Sequence, residues 1–352
     1  MKRKLSLVLA CLLLVMVFAA GCGRSESSGE KKVEKQVENT AFQKAEADLE
    51  EALRPLPEKD TGVKLAAIES TLANSFWITM QEGYEDAAKE YGVTIDVLAT
   101  ESEDDTEGQL SIMNDLMVKD YAGIAVSPLT EHNLIPGIAE ANKKGITVVA
   151  VGNGVDQDAM KKANATISAF ITSDFKAQGT MGAEYIIEKA EKKGKVAILE
   201  GIPGATQSEA RKNGAKEAFE KAGMNIVAVK TANFDMQQAY DATAAIVEAN
   251  PDLVGITCGN DTMALGAVQA LTEKGVKDQV AVVGVDFIEE AKASIEEGKL
   301  DATVAMSPYL FGKAGVITLL KAIRGDSFSE EVIWAPLSLV TKDNVDSMEG
   351  WK

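Results

Sequence analysis

From residue 62 to the end of the chain, short apolar runs alternate with longer segments whose apolar residues recur at helical spacing. Ten runs rich in β-branched residues read as strands: VKLAAIE, TIDVLAT, AGIAVSP, ITVVAVG, ISAFITS, KVAILEG, NIVAVKT, LVGITCG, QVAVVGV and DATVAMS. Between them, Phe76, Met80, Tyr84, Ala88 and Tyr91 fall on one helical face, and Leu110, Met113 and Met117 on another. Gly92, Gly145, Gly223 and Gly275 stand where helices end. Continuous apolar strands alternating with helices predict an α/β fold with parallel sheets covered on both faces. Ten strands are too many for one comfortable sheet, so the pattern predicts two doubly wound parallel-sheet lobes.

The chain before residue 62 has a different pattern. Lys2, Arg3 and Lys4 precede an uncharged apolar stretch from Leu5 to Ala20, the arrangement of an export signal. The stretch is short for a bilayer core of roughly 30 Å. Its exit, Ala19-Ala20-Gly21-Cys22, resembles the bacterial lipobox, with Ala19 where leucine is usual. The expectation is that residues 1–21 are removed, that Cys22 is lipidated, and that residues 22–60 form a tether holding the protein to the outer face of the cell membrane. Within that tether TAFQKAEADLEEAL can form a short amphipathic helix, with Phe42, Ala45, Leu49 and Leu53 on one side, stopped by Pro55 and Pro57. The pattern leaves open whether this helix is a spacer or packs on the body. With Cys11 removed and Cys22 lipidated, Cys258 stands alone in LVGITC as a core residue, and no intrachain disulfide forms.

Composition excludes several classes. A chain of 352 residues, 46% hydrophobic and 26% charged, is globular. Its net charge of −18 becomes −21 once the three basic residues of the signal are gone, which argues against nucleic acid as a partner. His132 is the single histidine of the sequence, so neither a histidine metal site nor a histidine-based triad is expected. GIPGAT (Gly201 to Thr206) lacks the spacing and lysine of a phosphate loop. ESEDD (Glu101 to Asp105) reads as a solvated turn and helix cap, since it lacks the spaced ligands of a calcium loop. Asp261 reads as the cap of the helix beginning at Thr262. No catalytic residue, metal or cofactor is expected, and an exported enzyme on this scaffold is the disfavoured alternative.

In doubly wound folds ligands sit beyond the C-terminal ends of the strands. There the chain places Ser70 and Asn74, Pro128, Gly152-Asn153, Gly201, Phe234, Asn260-Asp261, Asp286 and Met306, a polar set mixed with aromatics. The segments STLANSFWITMQEGYEDAAKEYGV, SDFKAQGTMGAEYI, EARKNGAKEAF, PDLVGITCGNDTMALGAVQAL, VAVVGVDF and LDATVAMSP follow one another in the order found in ribose-type sugar-binding proteins of bacterial ABC importers. The resemblance covers about residues 62–345. It implies a type I periplasmic binding protein fold: two lobes, 61–171 with 307–335 and 172–306 with 336–352, joined by a three-strand hinge. It also implies a monosaccharide or related polyol bound between the lobes, recognition by permease subunits, and a monomer.

Carried over residue by residue, the resemblance makes Asn74, Phe76 and Trp77 ligand contacts of the first lobe and Arg211, Phe234, Asn260 and Asp286 contacts of the second. The chemistry is apt. Flat rings cover the apolar face of a sugar, and a guanidinium presents its donors in a fixed fork. Amides and carboxylates complete the hydroxyl partners. The chain departs from ribose binders at two places: Gly152-Asn153 replaces an Asp-Arg pair, and Met306 replaces a glutamine at the crossover. A site built for particular hydroxyls rejects ligands lacking them, so the departures imply a sugar other than ribose or a sugar alcohol. A sensory receptor of the same fold, feeding a chemoreceptor or histidine kinase, is the alternative role.

Overall fold

The computed structural model describes residues 40–59, 62–328 and 332–352; the expected signal and Cys22 lie outside them. The first six-stranded sheet holds β1 (Lys64–Thr71), β2 (Thr94–Thr100), β3 (Gly123–Val126), β4 (Thr147–Val151), β5 (Phe170–Thr172) and β11 (Val332–Trp334), in the order β11-β5-β4-β3-β1-β2. The second holds β6 (Lys195–Glu200), β7 (Asn225–Thr231), β8 (Leu253–Cys258), β9 (Ala281–Asp286), β10 (Ala302–Ala305) and β12 (Ser338–Thr341), in the order β12-β10-β9-β8-β6-β7. Every pairing is parallel except that of β10 with β12. The ten strands expected from the apolar runs are all present.

The helices are α1 (Ala41–Ala52), α2 (Ser75–Tyr91), α3 (Thr106–Leu116), α4 (Ile135–Lys143), α5 (Gln157–Ala163), α6 (Phe175–Lys189), α7 (Thr206–Ala222), α8 (Met236–Ala249), α9 (Asp261–Glu273), α10 (Glu289–Glu296) and α11 (Pro308–Arg324). Central strands are buried on both faces because helices cover both sides. The chain passes between the sheets three times: from β5 into α6, from β10 into α11, and from β11 to β12.

In each lobe a helix that follows a crossing is fused to a helix that begins at the strand ends. A Cβ on Gly83 of α2 would collide with the carbonyl of Tyr309 in α11, and one on Gly312 with the carbonyl of Met80. In the second lobe Gly179 of α6 meets the carbonyl of Arg211 in α7, and Gly214 meets that of Lys176. These contacts are between backbones, so no side chain can rotate away to make room.

α1 is a docked helix rather than a free spacer. Thr40 and Gln43 close a capping box at its start, and Ala45, Leu49 and Leu53 are buried. Lys313 of α11 donates to Glu46 Oε1 at 2.8 Å and Glu50 Oε1 at 2.7 Å. Burial works against the Lys313 charge, but those hydrogen bonds hold its pKa above that of an ordinary lysine. Lys321 donates to the Leu53 carbonyl at 2.7 Å. Phe42 meets Tyr309 and Trp351 edge-on, with ring centroids 5.9 and 6.3 Å away. The Trp351 indole donates to the Met306 carbonyl, at the second crossing, at 3.2 Å. The segment read from sequence as a tether thus contains a helix tied to the body.

Gly312→Ala forces α11 away from α2 and should cost about 1–3 kcal/mol, as overpacking does; urea unfolding of the variant against the parent measures it.

Candidate functional site

The C-terminal edges of the two sheets face a cleft with about 400 Å³ of empty space, part of it open to solvent. From the first lobe it is lined by Asn74, Phe76, Trp77, Glu103, Gly152, Asn153 and Phe311; from the second by Phe175, Gln207, Arg211, Phe234, Asn260, Asp286 and Met306. Nine of the ten residues expected from sequence are in this lining. Ser70 is not: it is buried with its hydroxyl unpartnered.

On the first lobe, Asn74 ends the β1 turn and caps α2, its Oδ1 accepting from the Phe76 amide at 3.0 Å. The cap starts the helix so that Phe76 and Trp77 lie in its first turn, edge to face with centroids 5.0 Å apart. Both rings are buried and both face the cavity, so they are at once core and lining. Glu103 fixes this wall: its Oε1 accepts from Trp77 Nε1 at 3.0 Å and from Asn74 Nδ2 at 3.3 Å. Burial raises the Glu103 pKa, opposed by the Trp77 and Asn74 hydrogen bonds and by the Arg211 charge. Glu103 is the exception to the reading of ESEDD as a solvated turn and helix cap: Glu101, Ser102 and Asp104 are exposed, and Asp105 caps α3 through the Gly108 amide at 2.8 Å. Asn153 spends its NH2 on the Pro128 carbonyl at 2.9 Å.

On the second lobe, Arg211 is held on three sides. Nε donates to Gln178 Oε1 at 2.6 Å, Nη1 to the Gly259 carbonyl at 2.7 Å, and Nη2 lies 3.4 Å from Asp286 Oδ1. Its plane sits over Phe175, with Cζ 5.5 Å from the ring centre. Gln178 in turn donates to the Met306 sulfur at 3.1 Å. The guanidinium is therefore fixed in direction by the protein alone, with N–H groups left over.

Asn260 caps α9, accepting from the Met263 amide at 3.0 Å, which leaves its NH2 for the cavity. Asp261 does not cap the helix, contrary to the sequence expectation. It is buried and accepts from the amides of Phe287 at 2.6 Å and Ile288 at 3.1 Å and from Thr303 Oγ1 at 2.6 Å. It thereby shapes the turn that presents Asp286. Phe234 and Asp286 adopt left-handed backbone, with φ of 58° and 115°, a strained state for such residues. Gly201 is glycine because a Cβ there would enter the Phe234 ring.

Among the described residues one group could hold a metal ion, Glu131, His132 and Asp156, whose ligand atoms lie within 4.8 Å of one another. Its carboxylates are already engaged: Glu131 Oε1 accepts from Thr206 Oγ1 at 3.3 Å across the cleft mouth, and Asp156 caps α5 at 2.6 Å. Cys258 is buried in the second lobe's core, and burial pushes its thiol pKa up.

Two parallel sheets sharing one cavity at their C-terminal edges, with three crossings between them, define the fold of type I periplasmic binding proteins. The chain belongs to the periplasmic binding protein domain family, whose model matches residues 66–327. It is 42% identical over 259 residues to the D-allose-binding periplasmic protein of Escherichia coli K12, spanning 73% of this chain and 83% of that one. It is 30% identical over 273 residues to the ribose import binding protein RbsB of Bacillus subtilis, spanning 78% and 85%. A solved ABC transporter periplasmic solute-binding protein from Actinobacillus succinogenes, with bound D-allose, superposes with a TM-score of 0.76 at 31% identity, covering 81% of this chain and 99% of that one. The relatives are transport binding proteins, and this chain is a binding protein rather than an enzyme.

The buried acids make stability depend on pH. Burial raises Asp286 to about 7, with Arg211 opposing and Glu103 adding. Burial, with Glu85 adding, raises Glu69 to about 9; this side chain at the end of β1 has both carboxyl oxygens buried without partners. Each acid binds its proton more tightly in the folded chain than in the unfolded one. Between the ordinary carboxylate range, about pH 4, and these raised values the folded state holds the extra protons, so stability falls as pH rises. The ligand-free protein should unfold at a lower temperature at about pH 8.5 than at about pH 5.5, and Glu69→Gln should flatten the dependence. Calorimetry across this range checks the sign.

Proposed function

We propose that the protein is the extracytoplasmic substrate-binding component of an ABC importer, capturing a neutral monosaccharide or related polyol between its lobes. D-allose is the leading candidate. The observation that carries this reading is the cavity itself, with aromatic rings on one lobe facing a pre-aligned guanidinium, an amide and a carboxylate on the other. The similarity to a D-allose-binding protein supports the choice of sugar, as does the absence of the ribose binders' Asp-Arg pair at Gly152-Asn153.

The apolar face of the sugar ring lies against Trp77 and Phe76, where flat aromatic surface excludes water. Hydroxyls bind the remaining Arg211 N–H groups, the Asn260 NH2 and the Asp286 carboxylate. Since these groups stand on different lobes, a ligand that touches both favours the closed arrangement by its differential affinity. The permease then recognises the closed pair of lobes. Removal of residues 1–21 and lipidation of Cys22 would hold a monomeric protein at the outer membrane surface of the cell, where an importer draws its substrate.

Ligand that binds the folded state raises the unfolding temperature by mass action. Millimolar D-allose, D-ribose and myo-inositol, tested separately, should include at least one that does so for the parent chain. Arg211→Ala should abolish that rise while leaving the ligand-free protein folded; a rise that survives the substitution would sink the site assignment. Cys22→Ser should move the protein from the membrane to the soluble fraction, and unchanged partitioning would refute lipidation at that residue.

A further inference from the structure

Several buried polar side-chain atoms have no hydrogen-bond partner among the described residues, and of the residues that bear them Gln207 alone lines the inter-lobe cavity. It is the second residue of α7, is 8% exposed, and its Oε1 is the orphan atom. A buried amide oxygen without a partner is unfavourable, so a side chain kept in that state is explained by an acceptor role that the bound state satisfies.

The helix cannot shift to relieve it. α7 is pinned by Gly179 against the Arg211 carbonyl and by Gly214 against that of Lys176. Beside Gln207, Thr206 donates to Glu131 on the opposite lobe at 3.3 Å. The Glu131 carbonyl accepts from the Asp156 amide at 2.9 Å. Gln207 therefore lines the cavity together with Gly152 and Asn153, the positions at which the resemblance to ribose binders would place an Asp-Arg pair.

We propose that Gln207 is a specificity-determining residue: its amide oxygen accepts the proton of a ligand hydroxyl at the side of the cavity vacated by the Asp-Arg pair. The inference rests on the sugar-binding reading and names one of its contacts. The ligand so selected is neutral and carries a hydroxyl donor there, whereas a deoxy or O-methyl analogue leaves the oxygen orphaned and is rejected.

The test is isothermal titration of the full chain with D-allose, D-ribose and myo-inositol, alongside unfolding of the ligand-free protein. Gln207→Leu, close in volume and apolar, should lose about tenfold or more in affinity for the sugar that binds, yet unfold at the same or a higher temperature without ligand. Gln207→Glu, which keeps an acceptor, should bind more tightly than the leucine variant. Affinity unchanged in Gln207→Leu overturns this inference and leaves the sugar-binding reading standing. A parent chain that binds none of the three sugars overturns both. If the leucine variant does not fold, Gln207→Asn, which withdraws the amide by one methylene, carries the same affinity comparison.

Discussion

Backbone contact between helices is the constraint on which the arrangement of this protein depends. α2 brings Phe76 and Trp77 to the cavity and is locked through Gly83 and Gly312 to α11, the helix that follows the second crossing. α7 brings Gln207 and Arg211 and is locked through Gly179 and Gly214 to α6, which follows the first crossing. Each lobe's cavity-facing helix is thus one body with a helix emerging from a crossing. The closure proposed above would concentrate motion in the short crossings and carry the cavity walls as rigid units.

The polar interior follows from this rigidity. Arg211 is buried, yet every bond that orients it comes from its own lobe: Gln178, the Gly259 carbonyl and Asp286. Asp261 does similar work one layer deeper by bonding the amides that follow Asp286. The strained backbone at Phe234 and Asp286 is tolerated because neighbouring groups over-determine it. Such a site costs folding stability, and the buried acids contribute to that cost.

The larger fold was legible because its central strands are long apolar runs. β11 and β12 were not found from the pattern: they are short edge strands on either side of Pro336, and Trp334 is 58% exposed. The docking of α1 was illegible because its anchors, Lys313 and Lys321, lie more than 250 residues away. In the site, residues just beyond the strands were within reach of a simple rule. Glu103 also follows a strand, β2, but its acidic neighbours made it look solvated. Gln207 gave no signal at all, since a glutamine in the first turn of a polar helix is ordinary until the cavity beside it is known.

The docked first helix changes where the protein can be cut. Trimming at residue 60 is the natural way to discard a polar leader, but it would also remove Glu46 and Glu50 from Lys313, a side chain 8% exposed, leaving Glu90 at 3.6 Å as its remaining carboxylate. It would strip the Leu53 carbonyl from Lys321 and uncover the apolar bed beneath Ala45 and Leu49. Phe42 would also leave Trp351, whose indole holds the Met306 carbonyl at the crossing beside the cavity. A trimmed form should therefore begin ahead of Thr40, so that the contacts of α1 with α11 and Trp351 stay intact.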